Sequence, residues 1–353
     1  MHRFDYTFLE NGMVPVSTVS VSSAISAFNA ISEERRNRNP EVYDEMQAIA
    51  RVLSVKASNA IEGIITTEAR IKEIVNADSR PLTHDEEEIA GYRDALDEIH
   101  KSEGKTQLTE DYIKHLHRLI YSHSGYTSKG EYKTDDNFIL EIDPNGKRTI
   151  RFKPISAAET PDAMEQLMLA YIDARDNPKI NKLLLIPCVV LDFLCIHPFS
   201  DGNGRISRLL TIILLYKAGY DIAKYVSFEE QINLSKSFYY DALKESSKGW
   251  DDNVNSYNEF MLNFLSTLYK CFKELDKRFS SVNGKKISKT KRIEDAVLNS
   301  ILPVSKAEIC ERLPDVSPTT VESVLAKMLK AGAIVKIGQS HNTRYANPKY
   351  LSN

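Results

Sequence analysis

A chain of 353 residues with 42% apolar content can bury a sizeable core and has room for more than one domain. A formal net charge of −3 excludes a protein that coats nucleic acid along its whole length, and no run of like charge is long enough to form a tail. The opening Met1-His2-Arg3-Phe4-Asp5 lacks the basic, apolar and small-residue pattern of a signal peptide. The one long apolar run, from Leu183, is short for a membrane span and contains Asp192. Cys188, Cys195, Cys271 and Cys310 are scattered and mostly in apolar helical contexts, which suits free buried thiols and a reducing, cytoplasmic setting.

Residues 17–38 read as a polar-faced helix that stops before Pro40 in a solvated basic cluster of Arg35, Arg36 and Arg38. A second helix over 41–61 gathers Met46, Ile49, Ala50, Leu53, Ala57, Ala60 and Ile61 on one face. Its exit reads Ser58-Asn59-Ala60-Ile61-Glu62-Gly63, where Ser58 and Glu62 share a face and Gly63 can end the helix. Residues 83–103 form a further helix with Thr83, Asp85 and Glu86 in its first turn, as the helix dipole prefers. An amphipathic helix over 109–122 carries His115 and His117 on different faces, so packing rather than a metal pair is expected of them.

Between Gly130 and Pro154 the period changes. Phe138–Ile142 and Arg148–Phe152 flank Asp143-Pro144-Asn145-Gly146-Lys147, the pattern of a β-hairpin with a strong turn. Helices resume over 160–177 and from Leu183 to Ile196, and Pro198 stops the second of these, leaving His197 at the end of a rigid element.

The next residues, His197-Pro198-Phe199-Ser200-Asp201-Gly202-Asn203-Gly204-Arg205-Ile206-Ser207-Arg208, join a base, a carboxylate, a glycine turn and two arginines. Asp201 to Gly204 is turn chemistry, and the apolar period resumes through Ile206, Leu209, Leu210, Ile213 and Leu214. The result is helix, glycine loop, helix. Free N–H groups at such a helix N-terminus bind anions, Arg205 and Arg208 can offer guanidinium forks to phosphates, and Asp201 is a hard ligand suited to Mg²⁺. An EF-hand from Asp201 would need a carboxylate where Ile212 stands, and a Walker loop would need Gly-Lys-Ser/Thr, which is missing. A plain helix-loop-helix corner would need neither the His nor the Asp. A polyphosphate site is the reading that accounts for all of them.

Residues 227–248 are helical and include Phe238-Tyr239-Tyr240; residues 254–279 form a long helix, and 280–288 read as a linker. Beyond it come helices over 292–300, 306–313 and 318–329, the last capped by Ser317 with Pro318 at its first position. A β-ribbon follows around Ile334–Ile337 and Thr343–Tyr345. This order resembles a winged-helix module. Its ten Lys and Arg against six Asp and Glu give a thin footprint for DNA, and docking of a target or of a second copy fits as well.

The stretch from His197 to Arg208 resembles the signature of Fic-domain proteins, H-x-F-x-D/E-G-N-G-R-x-x-R, at every fixed position. The resemblance covers about 41–279. It implies a mainly α fold in which N-terminal helices (1–110) precede a Fic helical bundle with a β-hairpin flap (111–279), followed by the linker and the winged-helix-like domain (289–353). The implied activity is transfer of AMP from ATP to a Tyr, Thr or Ser hydroxyl of a protein, itself included. By position, His197 would be the general base and Asp201 would hold Mg²⁺. Gly202, Asn203 and Gly204 would supply the anion hole, with Arg205 and Arg208 on the β- and γ-phosphates. The hexapeptide ending in Gly63 resembles the inhibitory motif of class II members: Ser58 belongs to it, and Glu62 would pair with Arg208 and keep the γ-phosphate from docking. The flap would touch nucleotide near Ile150 and Arg151 and pair with an extended target segment. Tyr239 and Tyr240 would border the adenine, and Ser247 would offer a further polar contact. The chain departs from common members at Tyr132-Lys133 and Lys153-Pro154, which leaves the flap's register and choice of target open. Two other uses of the same features are removal of AMP with Glu62 directing a water, and a nucleotide-sensing winged-helix transcriptional regulator.

Overall fold

The structure, a computed structural model, describes residues 2–12, 14–77, 79–142, 148–283, 289–298, 300, 303–338 and 343–348. It divides into two units, 1–275 and 276–353. The first holds α1 (Phe8–Asn11), α2 (Val16–Arg38), α3 (Pro40–Ile61), α4 (Glu68–Asn76), α5 (His84–Ser102) and α6 (Glu110–Ile120), then strands β1 (Ile139–Ile142) and β2 (Arg148–Phe152). Helices α7 (Thr160–Asp176), α8 (Lys182–Ile196), α9 (Asn203–Lys217), α10 (Phe228–Leu234) and α11 (Lys236–Ser246) follow, and α12 (Asn258–Asn283) begins in this unit.

The centre of the bundle is α8, which is apolar on all sides and buried at every residue from Leu183 to Ile196. It is flanked by α7 and α9, while α3 packs on α5, α9 and α10. The single charge in this buried stretch, Asp192, is satisfied by Tyr6 Oη at 2.7 Å, Trp250 Nε1 at 2.8 Å and Tyr257 Oη at 2.9 Å. Burial nevertheless pushes its carboxyl up to about 7 against the pull of those three donors. The same network anchors the start of the chain, since His2 stacks on Trp250 at 4.0 Å.

Helix starts follow the capping residues. Thr83, Thr109 and Ser227 accept from the N–H groups of Glu86, Tyr112 and Glu230, each cap being worth about 1 kcal/mol. Helix α3 ends in a Schellman arrangement, with Gly63 N–H donating to Ala60 O (3.1 Å) and Ile64 N–H to Asn59 O (3.0 Å), closed by Gly63 at φ 84°. That turn sets the direction in which Glu62 leaves the helix.

Several elements differ from the sequence reading, which placed no helix at α1. A short helix, α4, is capped by Thr67 and buries Ile71, Ile74 and Val75. The helix expected over 227–248 is two, because the Ser235 hydroxyl donates to Gln231 O and its backbone leaves the helical region. Helix α12 starts at Asn258, where Ser246 Oγ accepts from Phe260 N–H, and continues to Asn283 through residues expected to be linker.

The hairpin pairs antiparallel with Ile139 opposite Phe152 and Leu140 opposite Ile150, so Arg151 is the unopposed residue of a β-bulge. The expected turn, 143–147, lies outside the described residues, as does 284–288 of the expected linker.

The second unit contains α13 (Lys289–Leu298), β3 (Val304–Ser305), α14 (Lys306–Arg312), α15 (Pro318–Lys330), β4 (Val335–Ile337) and β5 (Arg344–Ala346). Its sheet is antiparallel in the order β3-β5-β4, over a core that includes Ile293, Val297, Ile309, Val321 and Leu325. Ser317 caps α15 as expected. The sequence reading lacked β3 and the capping box that follows it, in which Ser305 and Glu308 satisfy each other's N–H groups.

Candidate active site

His197 closes α8 in the left-handed region, φ 51° and ψ 61°, with its N–H on Phe193 O at 2.9 Å. Its Nδ1 lies 3.3 Å from Leu194 O. A carbonyl only accepts, so Nδ1 carries the proton and Nε2 is left with its lone pair. Burial pushes the imidazole down to about 4, with Lys133 adding to the effect and the Leu194 carbonyl, Glu62 and Asp201 opposing it. The ring is therefore a neutral acceptor across the physiological range.

The loop after it is closed by Asn203, whose amide accepts from Phe199 N–H at 2.9 Å and donates to Phe199 O at 2.7 Å. Gly202, the residue before α9, stands at φ 80°; a Cβ there would come within 2.9 Å of Ile120 Cδ1. No side chain caps α9. Ile206 N–H makes the bond to Gly202 O at 3.0 Å, and the N–H groups ahead of it lack an intrahelical partner and form an anion-binding end.

Asp201 accepts from Tyr121 Oη and from Gly202 N–H, both at 2.7 Å. Burial opposes its ionisation, but these donors together with Arg205 and His117 outweigh it and hold the carboxyl below the usual range. His117 sits beneath the loop, stacked on Phe199 at 3.9 Å, with one ring nitrogen 3.1 Å from Asp201 O and the other accepting from Gly130 N–H at 2.8 Å.

The two arginines part company. Arg208 is buried and donates from Nε to Ser58 Oγ and from Nη2 to Ser58 O, both at 2.9 Å, while Glu62 Oε1 stands 2.8 Å from Nη2. Glu62 also covers the start of α9, since a Cβ at Gly204 would lie 2.3 Å from its Oε1. Arg205 is also buried: its Nη1 pairs with Glu88 at 2.5 Å and its Nη2 donates to Tyr121 Oη at 2.8 Å, while its Nε has no hydrogen-bond partner.

A cleft of about 310 Å³ joins these groups, at the lower end of the size range of ligand sites. It is lined by Glu62, His197, Asp201, Gly202, Asn203, Gly204, Arg205, Arg208, Arg151, Tyr239, Tyr240 and Ser247, along with Phe138, Leu194 and Leu243. Of the remaining expected site residues, Ser58 reaches the cleft only through Arg208, Gly63 turns the chain away, and Ile150 points outward, 61% exposed, while its neighbour Arg151 faces inward. Adjacent residues of a strand point to opposite faces, so the two cannot both enter the cleft. Arg151 Nη2 donates to Tyr240 O at 3.2 Å, tying the hairpin to α11. Ser247 Oγ donates to Lys244 O.

Among the described residues, no three His, Cys, Asp or Glu side chains gather as a metal-binding group. Asp201 by itself suits Mg²⁺, which is commonly held by one or two carboxylates plus substrate phosphates; its side chain is 66% exposed and held ionised. Tyr121, Glu88 and Asn137 were missed by sequence reasoning. No local pattern marks them, because they reach the site from the end of α6, from α5 and from the segment before β1.

A neutral imidazole, an uncapped helix N-terminus and a buried arginine thus line one cleft of a helical domain, an arrangement with the chemistry to receive an anion. Residues 107–215 match the Fic/DOC family. The "Protein adenylyltransferase Fic" of Nematostella vectensis is 25% identical over 202 residues, 54% of this chain and 42% of that protein. That of Drosophila persimilis is 26% identical over 235 residues, 65% of this chain and 41% of its own length. The chain thus spans about two fifths of these relatives. Two crystal structures share the fold. A Fic family protein from Desulfovibrio desulfuricans aligns with TM-score 0.60 at 18% identity, covering 95% of this chain and 97% of its own. A Fic domain containing signaling protein from Bacteroides thetaiotaomicron aligns with TM-score 0.60 at 22% identity, covering 77% and 99%. Among the described residues no helix is long and apolar enough to cross a membrane.

Proposed function

We propose that this chain is a protein adenylyltransferase that moves AMP from ATP to a hydroxyl side chain of a protein and is held back by its own Glu62. The observation that carries the reading is the convergence on one cleft of the His197 ring, the start of α9 and Arg208, with Glu62 paired to Arg208 and lying over Gly204.

In the transfer, the hydroxyl oxygen bonds to the α-phosphorus, the bond to the β-phosphate bridge breaks, and pyrophosphate leaves. His197 Nε2 takes the hydroxyl proton, and its protonated form is left to the solvent or to the leaving group. The N–H groups at the start of α9 and the Arg208 guanidinium stabilise charge on the phosphates without reorganising. Mg²⁺ held by Asp201 would neutralise phosphate charge. Arg205, pinned by Glu88 and Tyr121, stiffens the start of α9 and adds positive potential beneath the loop. Tyr239 and Tyr240 offer aromatic surface to the base. The free edges of the two-stranded hairpin suit main-chain pairing with an extended target segment.

Glu62 competes with the γ-phosphate for the same donors, the class II arrangement. The second unit's order of helices and strands fits a winged helix that docks a protein partner, a second copy or DNA. His197→Ala tests the core of the reading: labelled AMP transfer should fall by roughly 10²–10⁴-fold while ATP binding, followed by calorimetry, persists. Transfer retained with ATP binding abolished would overturn it.

A further inference from the structure

We propose that Lys133 and Asn137 are the positioning residues that hold the His197 turn in its reactive shape, and that through them the base is registered to the hairpin. The inference deepens the transferase reading and rests on it for its kinetic arm.

Four successive carbonyls, from Ile196 to Phe199, each receive a donor from Lys133 or Asn137. The Lys133 ammonium donates to Ile196 O at 3.1 Å, and its backbone N–H donates to Pro198 O at 2.9 Å. The Asn137 amide donates to Phe199 O at 3.2 Å and to His197 O at 3.5 Å. The two side chains also bond each other, Lys133 Nζ to Asn137 Oδ1 at 2.9 Å. Such a grip answers a specific need. The last carbonyls of a helix have no intrahelical partner, and a residue other than glycine in the left-handed region is strained and persists only where its surroundings determine it. His197 is that residue, at φ 51°.

Lys133 is 3% exposed, and burial pushes its ammonium down to about 8, with Asp136 opposing. A site needing only bulk would be filled more cheaply by an apolar side chain. What the lysine supplies is direction: it fixes the Ile196 carbonyl, one residue from the imidazole. The charged groups acting on that ring are Lys133 itself, Glu62 at the end of α3 and Asp201 in the loop. Only Phe138 separates Asn137 from β1, so the clamp on the base is also the root of the hairpin. A hydroxyl presented along the hairpin and the nitrogen that takes its proton are thereby referred to one short segment.

The test uses the full-length protein with ¹⁵N-labelled histidine, comparing wild type with Lys133→Met, Lys133→Arg and Asn137→Ala. In the wild type, His197 should show the Nδ1–H tautomer. Lys133→Met and Asn137→Ala should populate the Nε2–H tautomer and lower kcat for AMP transfer on the order of 10–100-fold, with the Kd for ATP unchanged. Lys133→Arg, which can still donate to Ile196 O, should restore both. The inference is overturned if Asn137→Ala and Lys133→Met keep the wild-type tautomer and rate, or if they lose ATP binding with the tautomer unchanged. Should the wild type and Glu62→Gly transfer no AMP at all, the transferase reading fails while the tautomer measurement still decides this one. Asn137→Ala leaves the buried charge in place, so it decides the matter if Lys133→Met fails to fold.

Discussion

Replacing Glu62 with glycine strips away the side chain that covers the start of α9. A charge-assisted bond of 2.8 Å disappears, from Arg208 Nη2 to a carboxylate whose side chain is 32% exposed. Arg208 keeps both bonds to Ser58, so the full cost of orphaning a buried charge does not apply. A bond of this kind contributes about 1.5–3 kcal/mol, which corresponds to a roughly 10- to 150-fold change in the population with Arg208 open to a phosphate. Initial rates of labelled AMP incorporation, into the protein itself or an acceptor, should rise by that factor. Glutamine at 62 should give a smaller rise, because it keeps the shape over Gly204 and removes only the charge. The glycine variant should also be slightly less stable, since a second glycine beside Gly63 adds about 0.5–1 kcal/mol of backbone entropy to the cost of folding. Equal rates for wild type and Glu62→Gly, at an ATP concentration that leaves the site unsaturated, would refute the inhibitory assignment.

Gly204→Ala should displace the Glu62 carboxylate without activating the protein: its Cβ would sit 2.3 Å from Oε1, on the surface that the transferase reading gives to phosphate. Melting temperature should fall by no more than a few degrees, because the loss is confined to the one Glu62–Arg208 bond and the obstructing atom ends a flexible side chain. Calorimetry should show ATP binding weakened at least about tenfold, the worth of one charge-assisted hydrogen bond. Stability should fall as pH drops from 6 to 5. His100, His117 and His197 are all lowered from 6.5 to about 4 by burial, so the unfolded chain takes up protons that the native state refuses, and their contribution is complete above 6.5 and lost toward 4. Asp192, raised to about 7, acts in the opposite direction between 3.8 and 7. His2 is lowered by burial as well, so the histidines outweigh Asp192 and leave a net loss of at least roughly 2 kcal/mol per pH unit, readable as a lower urea midpoint; a midpoint flat over that unit would show that the histidines titrate freely.

The helices of the bundle were legible because their burial is written in period and caps: Leu183–Ile196 is apolar nearly throughout, and Thr83 and Thr109 open helices in the structure as the pattern predicts. The segment from His197 to Arg208 was equally plain, since a glycine turn and the start of a helix are local events that twelve residues can specify. Pairings across the chain were not legible. Arg205 and Arg208 stand three apart on one helix and look equivalent in sequence. Yet one is pinned by Glu88 and the other faces Glu62, because α5 and α3 approach α9 from different sides. Which face of β2 meets the cleft, and so that Arg151 rather than Ile150 enters it, is settled only by where the hairpin packs, and the hold of Lys133 and Asn137 on the His197 turn joins residues some sixty positions apart. Sequence by itself determined the chemistry available at the glycine loop, because backbone conformation and functional-group identity are local. Tertiary structure decided which groups are free to act and which are held, because hydrogen bonds and burial are settled only when distant segments meet.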